Sequence, residues 1–330
     1  MAKTARTYRG TARNMGLLAR HLRKGGLVAV PTETVYGLAA DATSGSACRR
    51  IFAAKGRPAS DPLIVHIARV ADLGRVAVPN EAALRLARAF WPGPLTLILP
   101  KTETVPGAAT AGLPSVAVRM PSHRLFRRLI RMAGVPLAAP SANPFGYVSP
   151  TSAAHVLQGL GRRIGHILDG GASRIGLEST IVDLRNPDRP VLLRPGAVSR
   201  EDIARVLGVP VARGRAKTRR GRAQVAPGQM ARHYSPRTPV VLHPRLSARL
   251  AEAGPADEAW LFLFRPKGAR TGGNQFWLDP AGSLEGAGRR LFGTLRSLDQ
   301  QGFRRIHAET PRGGGLAEAL RDRLVRAAAR

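Results

Sequence analysis

The sequence predicts a two-domain α/β protein, and three observations carry that expectation. Short apolar runs of strand length alternate with amphipathic helical stretches along most of the chain. Hydrophobic residues make up 44% of 330 residues, enough for two packed cores. Between Ala212 and Pro239 the composition turns to Arg, Gly, Ala and Pro, as in a connecting segment. The expected division is a larger domain over 1–210, a basic linker over 211–238 and a smaller α/β domain over 239–330.

A first helix over Ala12–Lys24 ends at Gly25-Gly26, residues that tolerate the left-handed turn closing a helix. The next strand, Leu27–Val30, stops at Pro31, which has no N–H to give to a ladder. Thr32, Glu33 and Thr34 therefore fall at a strand end, where open α/β sheets bind ligands. A helix then runs to Lys55, with Gly56 as its left-handed cap and Pro58 forbidding continuation. Strands at Leu63–Ala68 and Leu95–Leu99 flank a helix over Glu81–Phe90. Ser115–Arg119 reads as a strand, Ser122–Met132 as a helix stopped by Gly134, and Val135–Ala139 as a strand delivering Ser141 and Asn143. Further strands are expected near Ile167, Ile181 and Leu192. Ser199 with Glu201 and Asp202 signals a helix start, and that helix fades at Gly208-Val209-Pro210. Beyond the linker, VVLH, WLFLF and RRIHAE read as strands, separated by helical stretches from Ser247 and Leu284, with a last helix from Leu316.

No apolar run is long enough to cross a bilayer, and the basic N-terminal stretch is not followed by an apolar core, so neither secretion nor membrane insertion is expected. The single cysteine, Cys48, reads as a small packed side chain in a reducing, cytoplasmic setting. The eight histidines show no ligand-like spacing, so zinc is not expected. A formal charge of +31 invites a nucleic-acid reading. Arginine is enriched throughout, as compositional drift produces, but residues 1–24 hold seven Lys or Arg and Arg213–Arg222 hold six, with no acid in either. These segments read either as solvated faces or as transient contacts with RNA or anionic surfaces.

Lys55 and Arg57 stand where a helix closes. They either compensate its dipole or grip two anionic oxygens, one with a planar fork and one with a mobile point charge. No G-x-x-x-x-G-K-[ST] stretch occurs, so side chains would have to hold any nucleotide phosphates. Eight blocks appear in order: VAVPTETVYGLAADA, KGRP, DPLIVHI, FWPGPLTLIL, SVAVRMP, APSAN, LESTIVD and LLRPG. Together they resemble the YrdC-like threonylcarbamoyl-AMP synthases in their long two-domain form, and Ala226–Pro236 (APGQMARHYSP) resembles that family's interdomain linker.

The resemblance implies a YrdC-like twisted mixed sheet with flanking helices and a concave active-site face, plus a smaller C-terminal Rossmann-like α/β domain. It implies a nucleotidyltransferase that condenses L-threonine, bicarbonate and ATP into L-threonylcarbamoyladenylate and releases pyrophosphate. The product would serve threonylcarbamoyladenosine modification of tRNA, completed by downstream threonylcarbamoyl-transfer proteins, with Mg²⁺ carried on ATP. Carried over by residue, Thr34, His66, Arg119, Ala139 and Ser179 fall at threonine-binding positions. Arg57, Asp61, Ser115, Ser141, Asn143, Ser149, Arg194 and Tyr234 fall at nucleotide-binding ones, and Lys55, Arg57 and His66 are the catalytic candidates. His66 would orient the amino acid or accept a proton as its amine becomes a nucleophile. Asp61, where many relatives carry a neutral polar residue, would either repel phosphate or hold Mg²⁺ through water. Tyr234 would act in a lid over the nucleotide, or lie in a plain tether. The rivals are a basic RNA-binding module without catalysis, which lacks interleaved aromatics, and a carbamoyl-transfer enzyme of metallocluster maturation, whose Cys-rich zinc segments are missing.

Overall fold

In the computed structural model, residues 4–214, 223–228, 233–267 and 273–329 are described. Eleven of their strands form one mixed sheet. In chain order these are β1 (Arg6–Arg9), β2 (Val28–Val30), β3 (Gly37–Asp41), β4 (Ile64–His66), β5 (Leu95–Pro100) and β6 (Ser115–Arg119), followed by β7 (Leu137–Ala138), β8 (His166–Asp169), β9 (Thr180–Asp183), β10 (Val191–Arg194) and β11 (Ala212–Arg213). Their order across the sheet is β1-β8-β2-β3-β7-β4-β6-β5-β9-β10-β11. β4 pairs parallel with β6 and antiparallel with β7, and β5 pairs antiparallel with β6 and parallel with β9. Helices cover both faces, as such a sheet requires to bury its two apolar sides.

Local chemistry sets most boundaries. The helix α1 (Ala12–Arg23) starts at Thr11, whose side chain accepts the Asn14 N–H, and α2 (Gly45–Lys55) ends at Gly56 with φ 65°. The expected Val135–Ala139 strand contracts to two residues because Pro136 and Pro140 bracket it; each still accepts a backbone N–H, from Ala42 and Leu38. The strand expected at Leu63–Ala68 shortens to Ile64–His66. β3, absent from the sequence reading, is buried at all five positions and so lacks the alternation that reveals a half-buried strand. β11 continues the first sheet past Gly208-Val209-Pro210, pairing parallel with β10. Most of the basic Arg213–Arg222 run lies outside the described residues.

A second, all-parallel sheet is built from β12 (Val240–His243), β13 (Glu258–Phe264), β14 (Gln275–Asp279) and β15 (Arg305–Glu309), in the order β12-β15-β13-β14. Of the helices that follow, here numbered α3 (Leu284–Gln300) and α4 (Leu316–Ala328), the first buries Leu291, Phe292 and Leu295 in one cluster with Val35, Val148, Leu177 and Tyr234. One core therefore joins the second sheet to loops of the first domain. Truncating Phe292, which is fully buried in that cluster, to Ala should destabilise the protein by about 3–5 kcal/mol. Urea unfolding monitored on both sheets should show the loss as one shared transition; loss confined to the second sheet would mean the domains unfold separately.

Candidate active site

The turn between β2 and β3 holds the first group of polar side chains. Thr32 Oγ1 accepts the N–H groups of Thr34 and Val35 at 3.1 Å each, which folds the turn tightly after Pro31. Glu33 then reaches across to β6, where its Oε1 lies 2.6 Å from Arg119 Nη2 and accepts the Ser122 N–H at 3.0 Å. Arg119 also donates to Thr34 Oγ1 at 2.9 Å and to the Gly93 carbonyl at 3.1 Å. Burial pushes the Glu33 carboxyl up, but Arg119 and the Ser122 N–H outweigh it and hold the group below its ordinary value.

His66 stands beside Arg119 because β4 and β6 pair in register there. Its Nδ1 donates to the Ile64 carbonyl at 3.1 Å, and its ring lies 5.2 Å from that of Phe126. Burial, then the nearby Arg119 guanidinium, lowers its pKa to about 3. Its charged form is disfavoured there, an environment that suits orienting a substrate better than accepting a proton.

At the end of α2 the two cations take different tasks. Lys55 Nζ donates to the Ser141 carbonyl at 2.6 Å and to the Asn143 carbonyl at 2.5 Å, so it stitches the helix to the loop after β7 instead of facing a ligand. Arg57 is braced by the Asp61 and Pro62 carbonyls at 3.0 and 2.8 Å and by Asp61 Oδ1 at 3.0 Å. Asn143 also shapes the loop, donating to the carbonyls of Pro144 and Tyr147. Ser115 lies at the opposite end of β6 from Arg119, about 13 Å away along an extended strand, and its hydroxyl makes no hydrogen bond. Ser149 donates to Glu178 Oε1 at 2.5 Å.

Arg194 closes the site from β10, donating to the Ser179 carbonyl and hydroxyl at 3.0 Å each and to the Pro227 carbonyl at 3.4 Å. Through that last bond the interdomain segment is drawn over the sheet. Gln224 N–H donates to the Ser60 carbonyl, and Ala226 packs with Ile64, Ile98, Ala117 and Ile181. Gly228 has φ 76°, and a Cβ there would lie 3.1 Å from the Tyr234 hydroxyl and 3.2 Å from Arg194, so only glycine suits the position. Tyr234 is held at φ 62°, with its ring stacked on Phe292 at 5.3 Å and its hydroxyl making no hydrogen bond.

The result is one shared cleft. Thr34, Arg57, His66, Arg119, Ala139, Ser141, Ser179, Arg194 and Tyr234 line it; among the expected site residues Lys55, Asp61, Ser115, Asn143 and Ser149 do not. Glu178, Gly228 and His233 also line it and were not singled out from sequence; for Glu178 the LESTIVD block itself was the available signal. Among the described residues no group of three His, Cys, Asp or Glu side chains is placed to hold a metal ion. Asp61 is committed to Arg57 and stays out of the cleft, so it does not fit the role of a magnesium ligand.

Comparison with known proteins adds to this geometry. Residues 20–196 match the Sua5/YciO/YrdC family model, described as telomere recombination, and residues 198–329 match the model of the threonylcarbamoyl-AMP synthase C-terminal domain. The threonylcarbamoyl-AMP synthase of Pyrococcus abyssi is 42% identical over 332 residues, covering 94% of this chain and 93% of that protein. The Bacillus subtilis enzyme of the same name is 40% identical over 323 residues, covering 93% and 90%. The crystal structure of P. abyssi Sua5 complexed with L-threonine aligns with a TM-score of 0.87 at 41% identity, covering 98% of this chain and 96% of that one. Escherichia coli YciO, at 23% identity and a TM-score of 0.53 over 58% of this chain, shares the fold alone.

The neutral His66 predicts an acid-dependent stability. Its pKa is about 3 when folded against 6.5 for a free imidazole, so between those values the unfolded chain binds more protons and acid favours unfolding. Between pH 7 and pH 4.5 the wild-type protein should lose about 2–3 kcal/mol more than His66→Asn, measured by denaturant titration. Parallel curves would show that His66 titrates near its ordinary value.

Proposed function

The chain belongs to the two-domain threonylcarbamoyl-AMP synthases, and from that premise we propose that this cleft is where L-threonine, bicarbonate and ATP condense to L-threonylcarbamoyladenylate with release of pyrophosphate. The observation that carries the reading is convergence: side chains between Thr34 and Tyr234, from separate loops and strands, share one cleft. The reactants bring together about six negative charges, so fixed cations and aligned donors have to offset their repulsion. Arg57, Arg119 and Arg194 supply that charge, each already oriented by backbone carbonyls.

Arg119 is suited to fork onto the threonine carboxylate, with Thr34 and Ser179 reading its remaining polar groups. The neutral threonine amine attacks the carbon of carbon dioxide, forming a carbamate and passing one proton to solvent, or that of bicarbonate, forming the same carbamate with loss of water. A carbamate oxygen then attacks the α-phosphorus in line, and the bond to the β-phosphate oxygen breaks to release pyrophosphate. Arg57, Ser141 and Arg194 are assigned to the phosphates and Tyr234 to the nucleotide. Mg²⁺ is assigned to the triphosphate itself, because Glu178, the carboxylate that lines the cleft, is committed to Ser149 and Arg323. Bicarbonate, the tRNA threonylcarbamoyl-transfer proteins that would consume the product and any weak RNA contact belong to the same proposal. Among the described residues no helix is long and apolar enough to cross a membrane.

Purified protein should release pyrophosphate only when threonine, bicarbonate, ATP and Mg²⁺ are all present. Arg119→Lys, which loses the fork, should raise the threonine KM about tenfold or more with a smaller change for ATP. An unchanged threonine KM would remove Arg119 from that role. Because Asp61 braces Arg57, Asp61→Asn should raise the ATP KM several-fold, about 1 kcal/mol in binding, at an unaltered Mg²⁺ requirement. A raised Mg²⁺ requirement would return Asp61 to the metal.

A further inference from the structure

The last helix of the second domain sends one arginine into the first. Arg323 is fully buried on α4, 145 residues along the chain from Glu178. Its Nε donates to Glu178 Oε2 at 2.9 Å, and its Nη2 donates to the Pro195 carbonyl at 2.9 Å and the Glu178 carbonyl at 3.5 Å. Nη1 pairs with Asp322 at 2.7 Å. The guanidinium carbon also lies 5.4 Å from the centroid of the Tyr234 ring. Every face of the group is therefore engaged, and two of its partners, Glu178 and Tyr234, line the cleft.

We propose that Arg323 is a positioning residue for the nucleotide half of the site, so that the second domain completes the ATP-binding geometry of the first through one side chain. The inference rests on the reading of the cleft given above. Its chain of contacts is short. Arg323 fixes one oxygen of the Glu178 carboxylate, and the other accepts the Ser149 hydroxyl at 2.5 Å. From the same domain, Arg296 of α3 holds the backbone on either side, donating to the Val148 carbonyl at 2.5 Å and the Ser149 carbonyl at 3.4 Å. Ser149, placed by resemblance at a nucleotide position although it does not line the cleft, thus acts by holding Glu178, not by touching a ligand. The charge balance supports this arrangement. Glu178 offsets Arg323 directly and acts favourably on Arg194, so loosening it disturbs the arginine that carries the interdomain segment at Pro227. Arg323 also lies over the Tyr234 ring, which stacks on Phe292, and so helps fix the ring that closes the cleft.

The test uses full-length protein and calorimetric titration with ATP–Mg²⁺ and, separately, L-threonine, together with KM values from pyrophosphate release and a melting curve. Arg323→Lys keeps the charge but loses the fork. It should weaken ATP binding and raise the ATP KM about tenfold, change L-threonine binding less than about threefold, and melt within about 4 °C of wild type. Glu178→Gln should give the same ATP-selective loss, and the double variant should be no worse than the poorer single one. If Arg323→Lys does not fold, Glu178→Gln alone decides. Unchanged ATP affinity, or equal losses for both ligands in step with melting temperature, would overturn the proposal. Failure of the wild-type protein to bind ATP would instead count against the cleft as the reaction site.

Discussion

An ion pair with side chains only 4% and 1% exposed, Arg119 with Glu33, joins the turn after β2 to the end of β6, and its burial dictates what surrounds it. Stripping water from two charges costs several kcal/mol each, which their mutual attraction offsets only when the remaining donors and acceptors are filled. Gly93, Thr34 and Ser122 do part of that filling, while Glu33 Oε2 keeps no hydrogen-bond partner. The turn can then hold Thr34 still, β4 can carry His66 in register, and burial, with the same guanidinium beside it, disfavours the charged imidazole.

The same rule repeats around the cleft. Arg57 is set against Asp61 and Arg323 against Glu178, and these two and Arg194 each meet at least one backbone carbonyl. Arginines so bound cannot swing toward an arriving anion, so little reorganisation is needed when charge develops. Lys55 shows the other outcome. Burial and the neighbouring Arg57 drive its pKa well down, and its ammonium is used to pin two carbonyls. The loop bearing Ser141 is thereby fixed by a cation that never meets a ligand.

Much of the fold was legible because helix ends carry local chemistry. Ser199 accepts the Asp202 N–H, and Gly56, Gly134 and Gly208 all take left-handed conformations, as their positions after helical stretches implied. What stayed hidden was tertiary. β3 is apolar on both faces, and β1 shows a single buried position, Tyr8, among exposed neighbours. At the site, residue type and block order pointed to Arg57, His66, Arg119 and Arg194. They could not distinguish a Lys55 that faces a ligand from one that faces carbonyls, nor a Ser149 that binds from one that braces. Glu178 needs its partner 145 residues away before its role can be seen.

The placing of β8 between β1 and β2 has a consequence for biosynthesis. The partner of Arg6 is His166, so 166 − 6 = 160 residues must be translated before that edge can close. At ribosomal speeds this delay is roughly 10–30 s, during which β1 and β2 present open edges to other nascent chains. Three of the four β1 residues, Arg6 and Arg9 among them, remain exposed even in the finished sheet. Two like charges on a four-residue ribbon disfavour its pairing with an identical ribbon while the edge is open.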